Sequence, residues 1–127
     1  MENETNGILL LTLCMKNETV LISREVLEAL ENPKHIQVLV NIEKKKLLLQ
    51  SCEITDKHAI VVPDDTMDSF PMSGPVLLKG LYKAMEWVDD ETRVVCGEPV
   101  TDRPAVLFDL GQAHPATLQS PLDVSTD

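Results

Sequence analysis

The chain has 127 residues, 43% of them hydrophobic and 3% aromatic, and its formal net charge at pH 7 is −10. This length predicts one domain, whose core must be filled mainly by Leu, Val and Ile. The charge excludes an overall basic nucleic-acid-binding surface, although a local basic face stays compatible with it. The acidic start and the short apolar stretch 8–13 fit neither a signal peptide nor a membrane span, which predicts a protein that does not engage a membrane.

Residues 1–63 predict two strands, a helix and a hairpin. Short apolar runs at 8–13 and 19–22 flank a polar turn, and Ser23 stands at the N-cap position of a helix with an apolar stripe. Asn32-Pro33 ends that helix, because the residue before a proline is pushed out of the α region. Alternating apolar residues over 36–42 and a return strand over 46–52 predict the hairpin, and a short strand follows at 59–62.

The second half predicts a similar series of elements. Residues 64–75 contain two prolines and a glycine and predict a polar linker, with Ser73 as a helix cap and Pro75 in the first helical turn. Apolar residues at positions 77, 81, 85 and 88 predict one helix face, and the acidic residues 89–91 end the helix. Two strands at 92–96 and 105–110 follow, and the aperiodic segment 111–127 predicts a disordered tail.

The two halves also align with each other. Four apolar positions of the first helix match four of the second at a constant offset of 55: Ile22, Val26, Leu27 and Leu30 with Leu77, Leu81, Tyr82 and Met85. The predicted fold class is therefore α+β, with two pseudo-repeated strand–helix–β-hairpin units packed as one small domain. Its parts are a first unit at 1–63, the linker at 64–75, a second unit at 76–110 and the tail at 111–127. The predicted core contains ten apolar residues: Val26, Leu30, Val38, Val40, Leu47, Leu49, Leu81, Met85, Val94 and Leu107.

Few residues in the sequence have the pattern that catalysis requires. Asp56 and His58 form a histidine–carboxylate pair with a metal-like spacing, and a solvated loop explains them as well. Ser23 lacks a nucleophile elbow, and the chain has no glycine-rich phosphate loop. The aspartates at 64, 65 and 68 lack the ligand order of a calcium loop. The sequence therefore predicts a non-enzyme without cofactor or metal.

Three cysteines, Cys14, Cys52 and Cys96, are widely spaced and lie in or next to apolar runs. This pattern is typical of buried free thiols, and it predicts a reducing, cytoplasmic location.

The charges divide unevenly between the halves. Residues 1–60 carry 7 basic and 9 acidic side chains, whereas residues 61–127 carry 4 and 12. We therefore expect a non-catalytic, acidic binding or regulatory protein that occupies a basic macromolecular partner, for example as an inhibitor of a nucleic-acid-handling protein. The acidic surface predicted to bind this partner comprises Asp89, Asp90, Glu91 and Glu98.

A family resemblance supports an alternative. The segment 19–50 has a strand ending in Ile22-Ser23, then Arg24-Glu25, Leu30 and the hairpin 36–50. In this it resembles the AbrB-type (SpoVT/AbrB) swapped-hairpin regulators. The resemblance implies a DNA-binding transcriptional regulator, and a homodimer is compatible with either hypothesis. The whole chain is also similar to small proteins common in Firmicutes genomes and mobile elements, a likeness that implies no function.

In this alternative, nucleic acid is the partner and cationic side chains contact phosphates. The residues concerned are Arg24, Lys34, Lys44, Lys45 and Lys46. The lysine run is also typical of a solvated hairpin turn that discourages edge-to-edge strand pairing.

Overall fold

The computed structural model describes residues 8–63 and 69–116, which form nine strands, two α-helices and one 3-10 helix. The strands are β1 (Leu10–Cys14), β2 (Thr19–Ile22), β3 (His35–Asn41), β4 (Lys46–Ser51), β5 (Ile60–Val61), β6 (Phe70–Ser73), β7 (Arg93–Pro99), β8 (Ala105–Asp109) and β9 (His114–Pro115). The helices are α1 (Arg24–Ala29), α2 (Pro75–Ala84) and the 3-10 helix Leu110–Gln112.

All strand pairs are antiparallel, and the sheet curls into a half-barrel with the order β5-β3-β4-β8-β7-β1-β2-β6. Strand β7 joins its two sides, since Arg93–Cys96 pair with β1 and Gly97–Pro99 pair with β8. Strand β9 lies on the same edge of β7 as β8, with His114 opposite Val94. The 3-10 helix thus interrupts what would otherwise be one strand.

The core fills the concave side of the sheet. Alternate residues of each strand face inward, and they are fully or nearly fully buried: Leu11, Leu13, Val20, Ile22, Leu47, Leu49, Val106 and Phe108. Helix α1 follows β2 and helix α2 follows β6. Because β2 and β6 are antiparallel neighbours, the two helices begin at opposite ends of the sheet, and each buries apolar side chains in the core.

The predicted fold class, α+β with two strand–helix–hairpin units, is wrong. The structure is mostly β, with 40% of the described residues in strands and 19% in helices, and it forms one continuous sheet. The strand before the second helix pairs with the strand before the first, and β7 connects both sides. Periodicity within a segment predicts which face is buried, but it does not show which distant strand becomes the neighbour.

The segments predicted to lack structure contribute strands. In the predicted linker 64–75, Phe70–Ser73 form β6, with Phe70 and Met72 buried, whereas residues 64–68 lie outside the described residues. At the start of the predicted tail, His114–Pro115 pair with β7 and Ala113 packs against the core. Residues 117–127 lie outside the described residues.

Two details of the second half also differ from expectation. Helix α2 ends at Ala84, so Val88 follows the helix and is 98% exposed instead of forming part of its apolar face. Leu107 of the predicted core is 39% exposed, because its neighbours Val106 and Phe108 are the residues of β8 that point inward.

Of the other nine predicted core residues, Val38, Val40 and Met85 are only partly buried and the remaining six are buried.

Candidate functional site

Residues 86–91, which follow helix α2, form a short loop that we call the acidic loop. Glu86 adopts a φ of 60°, and its N–H donates to the Lys83 carbonyl at 3.1 Å, so the chain leaves the helix sharply. The Trp87 N–H donates to the Tyr82 carbonyl at 2.9 Å. At the far end, the Tyr82 hydroxyl donates to the Glu91 carbonyl at 2.5 Å. Helix α2 therefore fixes the backbone at both ends of the loop.

Arg93, the first residue of β7, contacts the acidic loop through Asp89 and Trp87. One guanidinium nitrogen lies 2.9 Å from Asp89 Oδ1, and the guanidinium carbon is 4.8 Å from the centre of the Trp87 ring and 5.9 Å from that of Tyr82. The two rings meet edge to face at 4.9 Å. Arg93 is only 8% exposed, and its Nε has no hydrogen-bond partner among the described residues. Ring faces and one carboxylate thus balance this buried cation.

Burial affects the tyrosine of this cluster as well. Desolvation raises the pKa of Tyr82 above its usual 10.0, and the Arg93 cation partly opposes that effect. Asp89 and Asp90 raise the pKa further, because their negative charges disfavour a phenolate. Tyr82 therefore stays protonated and keeps its hydroxyl as a donor to the loop.

The acidic loop presents the apolar side chain of Val88 between acidic residues. Val88 is 98% exposed, and Glu86 and Asp90 are exposed beside it. Asp89 Oδ1 accepts a hydrogen bond from the Glu91 N–H at 3.1 Å, which holds the tip of the loop. The loop thus presents an acidic surface with the exposed Val88 side chain at its centre.

Three of the four acidic residues predicted to bind a partner are consecutive in the sequence and lie in the acidic loop. Asp89 is engaged by Arg93, Asp90 is exposed, and Glu91 is half-buried. Glu98 lies on β7 five residues beyond Arg93, which is about 17 Å along an extended strand. Glu98 is therefore separate from the acidic loop.

Lys44, Lys45 and Lys46 of the alternative DNA-binding surface lie together at the hairpin turn, whereas Lys34 lies at the other end of β3. Arg24 pairs with Glu28 at 3.1 Å, and Lys46 pairs with Asp109 at 3.2 Å. The bond from Lys46, with a second from the Gly111 N–H, lowers the pKa of the Asp109 carboxyl. Lys44 and Lys45 occupy the turn after β3, whereas Lys34 precedes β3 and lies about 24 Å away along the strand.

Much of the negative charge lies outside the described residues. Residues 8–63 and 69–116 contain 14 acidic and 11 basic side chains, a balance of −3, and seven acidic residues lie in the rest of the chain. For binding by the described residues, the charge around a particular loop or groove is therefore more informative than the net charge of the chain.

The other candidate residues have local roles. Ser23 Oγ accepts a hydrogen bond from the Leu10 N–H at 3.1 Å and makes no cap bond to helix α1. No cluster of three or more metal-ligating side chains occurs among residues 8–63 and 69–116. The three cysteines are free thiols, but Cys14 and Cys52 are only half-buried and Cys96 is exposed, so the prediction that all three are buried is wrong. Burial is the main cause that raises the pKa of Cys52.

The sequence did not point to Tyr82, Trp87 and Arg93 as one cluster. The chain has one Trp and one Tyr, and their spacing of five residues beside an arginine was the available signal. Their contact depends on the sharp turn at Glu86, which has a positive φ. The sequence does not predict this turn, because no glycine marks it.

No family model, curated protein or solved structure matches this chain. Neither α1 nor α2, the two α-helices in the described part of the chain, has the length and hydrophobicity to cross a membrane.

Proposed function

We propose that this protein is a non-catalytic binding protein that places its acidic loop against a basic surface of a macromolecular partner. The observation that carries the proposal is the combination of a pinned backbone with a Val88 side chain that is 98% exposed. A hydrophobic side chain at the tip of a rigid loop gains from burial and loses little conformational entropy on binding.

The two parts of the acidic loop have different roles in this proposal. Val88 enters an apolar pocket of the partner, and full burial of a valine side chain contributes about 1.5–3 kcal/mol. Asp90 and Glu86 attract the basic rim of that pocket and speed association. Asp89 and Glu91 hold the loop in shape, because the Asp89 carboxylate binds Arg93 and the Glu91 backbone carbonyl accepts a hydrogen bond from the Tyr82 hydroxyl.

Proteins that handle nucleic acids have basic surfaces of this kind, and inhibition of such a protein is the regulatory form of the proposal. We also propose a cytoplasmic location, which the free thiols support.

Capture from a host lysate on immobilised protein tests the proposal with three versions of the chain. The wild type is compared with a variant carrying Val88→Ser and Asp90→Lys, and with Glu98→Lys as a control that reverses a charge on strand β7. We expect the wild type and the control to retain the same basic proteins, and the loop variant to lose them. Retention of the same proteins by all three versions contradicts the proposal.

A gel shift at low salt separates the proposal from its alternative. If duplex DNA is shifted by the wild type and not after Lys44→Glu and Lys45→Glu, the AbrB-like regulator is the better hypothesis. We expect no shift with either version.

A further inference from the structure

An open apolar groove of about 620 Å³ lies between the end of β3 and helix α2. Val40 and Ile42 form one wall, and Val76, Gly80 and Ala84 contribute to the other. Ile42 is 52% exposed and Val76 is 84% exposed, so both leave apolar surface in contact with water. The groove is distinct from the acidic loop, which follows the same helix.

Strand β3 presents a free edge on this side. Its other neighbour, β5, pairs only with His35 and Ile36, and the Val62 N–H donates to the Lys34 carbonyl at 2.9 Å. In an antiparallel pair, alternate residues direct their backbone groups to the same side. Val38 and Val40 therefore direct their N–H and C=O groups away from β4, and no strand of residues 8–63 and 69–116 pairs with them there.

Gly80 keeps one wall of the groove open. It lies inside helix α2, where glycine is less favourable than alanine. A Cβ at this position would meet no atom within 4 Å, so no packing contact within the described residues requires a glycine. The missing side chain lets another backbone approach the helix closely.

The rim of the groove is basic. Lys83 lines the groove and Lys79 lies one turn before it, while Lys44 and Lys45 follow Ile42 in the turn. Among the described residues, none of these four lysines has a carboxylate within 4.0 Å. Two exposed acids, Glu43 and Glu86, are also close in sequence to the rim and leave it with a positive balance.

We propose that this groove binds an extended segment of another protein that is rich in aliphatic and acidic residues. The segment adds a strand to the free edge of β3, and its backbone bonds to Val38 and Val40. Its aliphatic side chains face Val76, Gly80 and Ala84 on helix α2, and its carboxylates lie near the lysines of the rim. This binding mode combines backbone pairing, which supplies affinity, with a charge pattern that selects the amino-acid sequence of the bound segment.

Fluorescence polarisation with the full chain tests the proposal. The probe is a short fluorescein-labelled peptide of alternating valine and glutamate, and the matched peptide has lysine in place of glutamate. In about 10 mM salt, where the Debye length is about 30 Å, we expect saturable binding of the glutamate peptide only. No binding of the glutamate peptide, or equal binding of both peptides, overturns the proposal.

Variants locate the binding. A Cβ at position 80 meets no atom within 4 Å, so Gly80→Leu should place its side chain in the groove and abolish binding while the melting temperature does not fall. Lys79→Glu combined with Lys83→Glu should weaken binding at least about tenfold, which equals 1.4 kcal/mol. Lys34→Glu, at the other end of β3, should leave binding unchanged. Undiminished binding by the Gly80→Leu variant overturns the proposal, and so does an equal loss with Lys34→Glu.

Two further measurements distinguish other occupants. Sedimentation should give the same oligomeric state for the wild type and the Gly80→Leu variant, whereas a dimer lost in the variant would assign the groove to a second copy. A chain without residues 117–127 should bind the glutamate peptide as the full chain does. Binding that occurs only after this removal would assign the groove to that segment, and it would overturn the proposal.

Discussion

Replacement of Gly97 by alanine should strain the middle of the sheet. Gly97 lies where β7 changes its partner from β1 to β8. A Cβ there would lie 2.6 Å from Phe108 Cε2 and 2.7 Å from Val106 Cγ1, and both of those side chains are fully buried. No described glycine has a positive φ, so the backbone itself tolerates alanine and the cost is purely steric.

Such overpacking costs about 1–3 kcal/mol, which lowers the melting temperature by roughly 4–12 °C in a chain of this size. Gly80→Ala is the matched control, because its Cβ meets nothing and the helix gains about 0.5–1 kcal/mol. The two glycine-to-alanine changes should therefore shift the urea midpoint in opposite directions.

A double-mutant cycle with Phe108→Leu tests the cause. Gly97→Ala should cost less in the Phe108→Leu background, because the ring edge that it meets is gone. If Gly97→Ala leaves the urea midpoint unchanged, or costs the same in both backgrounds, then the side chains of Phe108 and Val106 do not crowd position 97.

Three further predictions concern single side chains. Glu31→Gly should stabilise the fold by about 1 kcal/mol in urea unfolding, because Glu31 holds a φ of 65° after helix α1, a region that glycine adopts without strain; a lower midpoint would contradict this. Tyr82→Phe should cost about 0.5–1.5 kcal/mol through the lost bond to Glu91. Since the folded-state pKa of Tyr82 is raised, the wild type should lose more stability than the variant as the pH rises above 10.0. Parallel stability curves for the two proteins would refute the role of the hydroxyl. The lowered pKa of Asp109 predicts a loss of stability in acid. The stability that its bond to Lys46 supplies is present above pH 3.8 and is lost as the pH falls through the folded-state pKa. Asp109→Asn should flatten this part of the plot of stability against pH.

The elements of the first half could be predicted because their signals are local. Residues 19–22 form β2 as expected, and the hairpin of β3 and β4 follows the alternation of apolar residues. Strand β6 could not be predicted in this way, because Phe70–Ser73 include a proline and lie in a polar segment. Pairing with β2 makes it a strand, and that partner is about fifty residues away in the sequence.

The candidate site was only partly predictable for a similar reason. The run Asp89–Glu91 was visible as charge, but its shape depends on Arg93 and on two aromatic rings that surround the guanidinium. The sequence did not predict the groove. A glycine such as Gly80 inside a helical pattern indicates only a less stable helix until its surroundings are known. Contacts of this kind between separate elements are what a single sequence conceals.

The offset of 55 between the helices has a local explanation. Leu30, Glu31 and Asn32 donate to the carbonyls of Val26, Glu28 and Leu27, and the residues 55 positions later, Met85, Glu86 and Trp87, donate to those of Leu81, Lys83 and Tyr82. Both helices thus end in the same Schellman motif. Their N-caps, Ser23 and Gly74, are instead 51 residues apart, because α2 has ten residues and α1 has six. The difference of four residues is about one helical turn, which leaves the same face of each helix buried. An alignment at one constant offset therefore matched the helix ends but misplaced the strands before them, and those strands, β2 and β6, pair with each other in one sheet.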